Sequence, residues 1–236
     1  MAIDYITDRR QEALYQCFLR YRPTKQGHNY LPIYDRYFSP IRQDVRKVLE
    51  IGVQSGKSLR MWRDYFPNAE IYGLDLDPAC KAVEEDRIRI AIGDQSNPSD
   101  LAKLPTDFDI IIDDGSHIPA HQINTFRYLF RHNMNERGVY AVEDCVSRPT
   151  TIKWFKKLAD HVNYWPRGLS TREWPKFNSF DRIWATAERE HLIRNVLGVS
   201  FYRFLVMIDK GRNPEDGTAA HRLHGRSGQT TKAASS

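Results

Sequence analysis

The sequence predicts an α/β protein built on a doubly wound, mostly parallel seven-stranded sheet that ends in an antiparallel β-hairpin. Two features support this fold. Five short apolar runs alternate with segments of helical spacing between Val45 and Asp144, as expected for buried parallel strands joined by crossover helices. Two further runs, at 196–202 and 203–211, follow each other with almost no connector. Only a hairpin joins strands that closely, so the last pair is antiparallel.

The elements of the core follow one another in a regular order. The predicted parallel strands are VRKVLEI, AEIYGLDL, RIRIAIG, FDIIIDD and GVYAVED. The predicted crossover helices are SLRMWRDYF, PACKAVEEDR, NPSDLAKL and AHQINTFRYLFRHNM. The hairpin strands are VLGVSFY and RFLVMIDKG. Because strands and helices alternate along the chain, we expect helices on both faces of the sheet and ligands at the carboxyl ends of its strands.

Three segments lie outside the regular alternation. Residues 1–44 contain a predicted helix around Asp8 to Arg20 and an aromatic-rich stretch that we expect to contribute to the site. The core covers 45–210, and within it 146–195 carry the predicted helix TIKWFKKLADHVNYW and a Trp- and Pro-containing stretch. We expect this insertion to cover the acceptor site as a lid. Residues 211–236 are rich in small and polar residues, which predicts a flexible tail.

Composition excludes several classes of protein. The chain has 236 residues, 41% of them hydrophobic, which indicates a globular protein rather than a disordered or fibrous one. Its three cysteines suit neither a disulfide framework nor a zinc site. No apolar run approaches a membrane span and the first residues lack a signal sequence, so we expect a cytoplasmic protein without a membrane partner. The net charge of +5 is spread along the chain, which argues against a nucleic-acid partner.

The turn after the first strand is a candidate ligand site. Glycines 52 and 56 let a ligand approach the backbone. Gln54 stands where the dinucleotide fingerprint requires a glycine, and the acid at the strand end would repel a pyrophosphate but suits a ligand with a positive end. An ordinary strand-to-helix turn is the alternative. The predicted ligand contacts of this turn are Glu50, Gly52, Gln54, Ser55, Gly56 and Ser58.

Polar residues also follow the second and third strands. Asp75 lies about twenty residues after the glycine turn, where a carboxylate can bind both hydroxyls of a ribose, although it could instead cap the next helix. Asp94 and Gln95 are placed to meet an adenine edge. This order of glycine turn, ribose acid and adenine acid resembles the class I S-adenosylmethionine-dependent methyltransferases, whose sheet also ends in a hairpin. The resemblance implies their Rossmann-like fold and S-adenosylmethionine as the cofactor.

A second polar group is predicted at the ends of strands four and five. Asp113, Asp114 and His117 follow strand four, and Glu143 and Asp144 follow strand five. Strands four and five are neighbours in this fold, so four carboxylates and an imidazole should converge and require a neutralising cation. Oxygen ligands without sulfur favour a hard ion such as Mg²⁺. Either acidic pair alone could also be a capping turn or part of a surface loop.

Three stretches narrow the resemblance to one group of methyltransferases. The segments IDDGSHIPAHQINTFRYLF…ERGVYAVED, GHNYLPIYDRYFSPIR and SFYRFLVMIDKG resemble the metal-dependent sugar O-methyltransferases of the macrocin, mycinamicin and demethyldecarbamoylnovobiocin type. The resemblance covers roughly 20–145 and 196–212. It implies that Asp114, Glu143 and Asp144 hold the metal and that His117 is the general base. Two departures are the missing acid between Thr24 and Lys25, and the stretch CVSRPTTIKWFKK after strand five.

The predicted function is Mg²⁺-dependent methyl transfer from S-adenosylmethionine to a hydroxyl of a sugar or glycoside. Asp113, His28 and Tyr30 are further predicted cofactor contacts. Aromatic residues of the flanking segments should stack on the acceptor sugar, and these are Tyr30, Tyr34, Trp154 and Trp174. We expect a homo-oligomer acting on a small-molecule saccharide. Three alternatives remain: a catechol or phenol methyltransferase, a metal-dependent hydrolase, and an inactive cofactor-binding subunit.

Overall fold

A computed structural model of the chain describes residues 13–25, 29–145, 149–159 and 186–213. The strands are β1 (Lys47–Ile51), β2 (Glu70–Asp75), β3 (Ile88–Ile92), β4 (Phe108–Asp113), β5 (Met134–Val142), β6 (Val196–Tyr202) and β7 (Leu205–Lys210). The helices are α1 (Ala13–Tyr21), α2 (Leu31–Phe38), α3 (Lys57–Tyr65), α4 (Pro98–Leu101), α5 (Pro119–His132), α6 (Pro149–Lys156) and α7 (Thr186–Asn195). No helix in these ranges combines the length and apolar character that a bilayer span requires.

The seven strands form one sheet in the order β3-β2-β1-β4-β5-β7-β6. The first five strands are parallel, and β7 pairs antiparallel with both β5 and β6. The predicted fold class is therefore confirmed. In the register Ile51 lies opposite both Leu74 and Asp113, and Asp113 lies opposite Val142. The carboxyl ends of β1, β2, β4 and β5 therefore stand side by side and bring their flanking polar residues to one edge.

Helices cover both faces of the sheet. One core cluster joins α1, α2 and α3 to the sheet and centres on Tyr34, Phe38 and Trp62. The other joins α4, α5, α6 and α7 to the opposite face. Val48 and Leu49 of β1 belong to different clusters, because successive side chains of a strand point to opposite faces. A strand buried on both faces reads as a continuous apolar run, which is why the sequence pattern located these strands.

Some predicted helices are shorter in the structure. The stretch PACKAVEEDR forms a 3-10 helix over Pro78–Val83, which Asp77 caps by accepting the Ala79 amide at 2.9 Å and which ends where the backbone leaves the helical conformation at Glu84. The helix after β3 is a single turn, α4. Strand β5 begins at Met134, four residues earlier than predicted. His28, Trp174, the start of the first predicted helix and most of the predicted lid at 146–195 lie outside the described residues.

Candidate active site

A cavity of about 350 Å³ opens at the carboxyl ends of the strands. Its wall combines the turn after β1, the ends of β2 and β4, and residues 22–25 that follow α1. The predicted site residues that line the cavity are Gly52, Gln54, Ser55, Ser58, Asp75, Asp114, His117 and Asp144. The structure therefore brings the predicted cofactor turn and the predicted acidic group into one cavity.

The glycine turn is shaped by close backbone contacts. Gly52 has a φ of 91°, and a Cβ atom there would lie 2.2 Å from the backbone oxygen of Asp114. Gly56 has a φ of 70°, and its Cβ would lie 2.2 Å from a methyl of Val83. Side chains are excluded at both positions by sterics and by conformation. The turn after β1 can therefore lie directly against the end of β4.

Asp75 holds this turn in place. One carboxylate oxygen accepts the Val53 and Gln54 amides at 2.7 and 3.1 Å, and the other accepts the Asp77 amide at 3.0 Å. Partial burial opposes ionisation, but these three amide donors outweigh it and lower the pKa of Asp75. A carboxylate oxygen can accept more than one hydrogen bond. Asp75 can therefore hold the turn and still meet a ligand in the cavity.

The two predicted adenine contacts after β3 lie outside the cavity wall, and the Gln95 side chain is buried. The Gln95 side chain donates to Asp113 Oδ1 at 3.1 Å and to Thr125 Oγ1 at 3.3 Å, and its oxygen accepts the Ser116 amide at 2.7 Å. Only 6% of Gln95 is exposed. Neither it nor Asp94 lines the cavity. The Gln95 side-chain amide therefore already makes its hydrogen bonds to buried protein groups, and its predicted contact with adenine does not match this burial.

Asp113 does not join the acidic group, contrary to the predicted convergence of four carboxylates. It is fully buried and bonded to Gln95, and burial raises its pKa to about 6. Asp114 is bonded instead to Lys25. Consecutive residues leave a strand in opposite directions, so only one of the pair can reach the cavity. The structure thus separates two carboxylates that the sequence could not distinguish, and a cofactor contact of Asp113 does not fit its burial.

Lys25 occupies the centre of the acidic group. Its side chain is 1% exposed, and its Nζ lies 2.7 Å from Glu50, 2.9 Å from Asp114 and 2.6 Å from Glu143. Burial alone would lower the pKa of Lys25, but the charges of Asp114, Glu143 and Glu50 hold it well above its ordinary value. Glu50 is also fully buried and does not line the cavity. It serves as an internal partner of Lys25.

Sequence reasoning missed Lys25. Its only signals were the acidic excess, which requires a cation, and the Thr24-Lys25 pair in a segment that resembles the family. Neither signal shows that a residue 118 positions before Glu143 reaches that carboxylate.

Two tyrosines of the N-terminal segment hold the acids after β5. The Tyr34 hydroxyl donates to Glu143 at 2.5 Å, and the Tyr30 hydroxyl donates to Asp144 Oδ1 at 2.7 Å. Burial raises the pKa of Glu143 despite its Lys25 partner. Both tyrosines are 0% exposed, so their rings are not available to stack on a sugar or contact a cofactor as predicted. The ring of Trp154 packs against Phe126, which likewise favours a role in the core.

His117 stands at the cavity next to Asp144. Its Nε2 lies 3.7 Å from Asp144 Oδ2, and 40% of its side chain is exposed. Its Nδ1 is buried without a hydrogen-bond partner among the described residues. Both His117 and Asp144 have a positive φ, 55° and 53°. Strained backbone is common at functional sites. His121, by contrast, contacts Ser116 Oγ at 3.0 Å and does not line the cavity.

The donor set fits a hard divalent cation. Within the described ranges, two groups could each hold an ion, Asp114 with His117 and Asp144, and Glu50 with Asp114 and Glu143. The two groups together contain four carboxylates, and three of them contact the Lys25 ammonium, so the net charge is −3 when all are ionised. All the carboxylate ligands supply oxygen, which Mg²⁺ prefers. Further positive charge from a metal and a cationic ligand would balance this excess.

Known proteins with similar sequence and structure are methyltransferases. A demethylmacrocin O-methyltransferase of Streptomyces fradiae is 34% identical over 84% of this chain and 53% of its own length. A mycinamicin VI 2''-O-methyltransferase of Micromonospora griseorubida is 32% identical over 88% of this chain and 55% of its own. The structure of MycE from the mycinamicin pathway, in complex with Mg and SAH, has a TM-score of 0.70 and 30% identity. That match covers 90% of this chain and 60% of MycE.

The matches cover most of this chain but only part of each relative. The chain spans about half the length of the curated relatives it matches. No protein-family model matches it. The sheet order, the terminal hairpin and the relatives confirm the resemblance inferred from the sequence. The chain has the fold of the class I S-adenosylmethionine-dependent methyltransferases, and its curated homologues are sugar O-methyltransferases of the macrocin, mycinamicin and tetracenomycin type.

Proposed function

We propose that this chain transfers a methyl group from S-adenosylmethionine to a hydroxyl of a sugar or glycoside, with the help of Mg²⁺. The observation that carries the proposal is the single cavity shared by the glycine turn, Asp75, Asp114, Asp144 and His117. The relatives that match the chain are named for methyl transfer to glycosides, and MycE has been solved with Mg and SAH.

The cofactor part of the proposal rests on the turn after β1. Gly52 and Gly56 leave the backbone open to a ligand, and Asp75 presents a carboxylate at the same wall. S-adenosylmethionine carries a positive sulfonium, which the carboxylates of Asp114 and Asp144 at the cavity wall would attract. Asp75 would then hold the ribose hydroxyls, as the order of motifs predicts.

The metal part rests on Asp114, Glu143 and Asp144. These three acids would hold the ion, since Asp114 and Asp144 line the cavity and Asp114 belongs to both groups of possible ligands, one with Asp144 and one with Glu143. A bound Mg²⁺ would supply Lewis acidity that lowers the pKa of a coordinated hydroxyl. Tyr34 and Tyr30 donate hydrogen bonds to Glu143 and Asp144. These two hydroxyls therefore keep the carboxylates oriented before any ligand arrives.

His117 is the proposed base. The acceptor oxygen forms a bond to the methyl carbon while the carbon–sulfur bond breaks and its electron pair stays on sulfur. The imidazole of His117 accepts the hydroxyl proton, and Asp144 at 3.7 Å can stabilise the charge that the ring gains. A positioned base of this kind contributes about 10²–10⁴-fold in rate. The exposed part of the His117 ring faces a cavity large enough for part of a small ligand.

Methyl transfer from labelled S-adenosylmethionine to a panel of glycosides and phenols tests this function. We expect transfer to a glycoside in Mg²⁺ and none after exhaustive chelation, with S-adenosylhomocysteine binding preserved. His117→Ala should lose about 10²–10⁴-fold in rate. His121→Ala is the matched control, because that histidine lies four residues away outside the cavity. Full activity in chelator would remove the metal from the mechanism, and failure to bind S-adenosylhomocysteine would leave the hydrolase alternative.

A further inference from the structure

The buried ammonium of Lys25 is the most unusual charge in the site. Three carboxylates surround it within 2.6–2.9 Å, and they come from three different strand ends. Glu50 is the residue before the last of β1, Asp114 follows β4 and Glu143 follows β5. Lys25 itself belongs to the segment between α1 and α2. One side chain therefore ties the N-terminal segment to the whole edge of the sheet where the cavity opens.

Lys25 does not use every oxygen of the carboxylates around it. Lys25 meets Asp114 through Oδ2 and Glu143 through Oε1. Each carboxylate has a second oxygen, and each oxygen has two lone pairs. Asp144 makes no contact with Lys25 and bonds to Tyr30 instead. The lysine and a metal ion can thus share the same carboxylates.

We propose that Lys25 is the internal counterion of these acids. It is a positioning residue that keeps Glu50, Asp114 and Glu143 together when no metal is bound, and its charge weakens the affinity of the site for a divalent ion. This inference rests on the proposed function for the identity of the ion. Without Lys25, three largely buried carboxylates would face one another unpaired, which is unfavourable. An added Mg²⁺ would then supply the missing positive charge.

The test uses the purified chain, Lys25→Met and a surface control. Methionine keeps an unbranched side chain, shorter by the terminal nitrogen, and removes the charge. We expect the metal-free Tm of Lys25→Met to fall by roughly 6–20 °C, the scale of a broken buried ion pair. Lys103→Met removes an exposed ion pair with Asp100 (2.7 Å, side chain 73% exposed) and should shift Tm by no more than about 4 °C.

Titration with Mg²⁺ distinguishes a counterion role of Lys25 from a role in packing alone. Titration with Mg²⁺ should raise the Tm of Lys25→Met more than that of the parent, and calorimetry should show at least about tenfold tighter Mg²⁺ binding. A packing role predicts the same Mg²⁺ affinity in both proteins. An unchanged metal-free Tm, or Mg²⁺ binding that is unchanged or weaker, would overturn the proposal.

A second variant covers the case in which Lys25→Met does not fold. In Lys25→Met/Glu50→Gln one carboxylate charge is removed, and the new amide can donate to a neighbouring carboxylate. We expect this double variant to regain part of the lost metal-free Tm. If it is no more stable than the single variant, charge balance is not the role of Lys25. If the parent binds no Mg²⁺, the proposed metal dependence fails, whereas the metal-free Tm values still decide whether Lys25 is a counterion.

Discussion

Replacing Gly52 with alanine should destabilise the fold at the point where the cofactor turn meets the acidic group. The new Cβ would lie 2.2 Å from the backbone oxygen of Asp114 and 2.9 Å from its carbonyl carbon. Neither partner can easily move away. The Gly52 amide donates to Leu74 at 2.9 Å, and the Asp114 amide donates to Ile51 at 3.0 Å. The clash is therefore between two backbones that the sheet holds in place.

The size of the effect follows from two contributions. A non-glycine residue with a positive φ costs about 1–2 kcal/mol, and Gly52 has a φ of 91°. Crowding a well-packed site costs about 1–3 kcal/mol. Together they predict a loss of about 2–5 kcal/mol, which for a chain of this size lowers Tm by roughly 4–20 °C. Because the displaced atom belongs to Asp114, the affinity for Mg²⁺ should fall as well.

Thermal unfolding and urea titration of Gly52→Ala measure this loss. Gly198→Ala is the matched control, because its Cβ would meet only the end of the Asp209 side chain, at 3.1 Å. That side chain can rotate, so we expect the control to unfold within about 1 kcal/mol of the parent. If Gly52→Ala is as stable as Gly198→Ala, the turn relaxes freely and the close contact between β1 and β4 does not shape the site.

Three further substitutions test separate parts of the structure. Asp75→Ala should weaken S-adenosylhomocysteine binding by about 1.5–3 kcal/mol in calorimetry, and unchanged affinity would limit Asp75 to holding the turn. Tyr30→Phe removes the 2.7 Å hydrogen bond to Asp144 and should cost about 1.5–3 kcal/mol in urea unfolding; an unshifted midpoint would mean that Asp144 finds another donor. Burial lowers the pKa of His191 to about 4 from 6.5, so the folded state favours the neutral ring. The contribution of His191 to stability should therefore fall as pH drops from 6.5 to 4, by about 1–2 kcal/mol after allowing for partial exposure, and His191→Gln should remove this contribution. Identical pH profiles for parent and variant would contradict that reasoning.

Much of the fold was predictable because it depends on local patterns of apolar residues and on the lengths of connectors. The strands β1 and β4 are buried along almost their whole length, so their sequences are largely apolar runs. The hairpin of β6 and β7 followed from a connector too short for any crossover. The prediction of a longer helix after β2 was wrong, because the backbone leaves the helical conformation at Glu84 and only a 3-10 helix over Pro78–Val83 forms. Helical spacing of apolar residues does not reveal such local competition.

For the site too, part was predictable from the sequence and part was not. The sequence by itself determined that acids and a histidine follow the strand ends, and parallel topology then requires them to share one edge. Only the tertiary structure decided that Asp114 contacts Lys25 whereas Asp113 is bonded to Gln95 in the interior. It also decided that Tyr30 and Tyr34 are buried as hydrogen-bond donors. It alone placed Lys25 among the carboxylates, in contact with Glu143 118 residues further along the chain. Periodicity reports which face of an element is buried, whereas a contact between distant residues depends on how complete elements pack, and no local pattern encodes that.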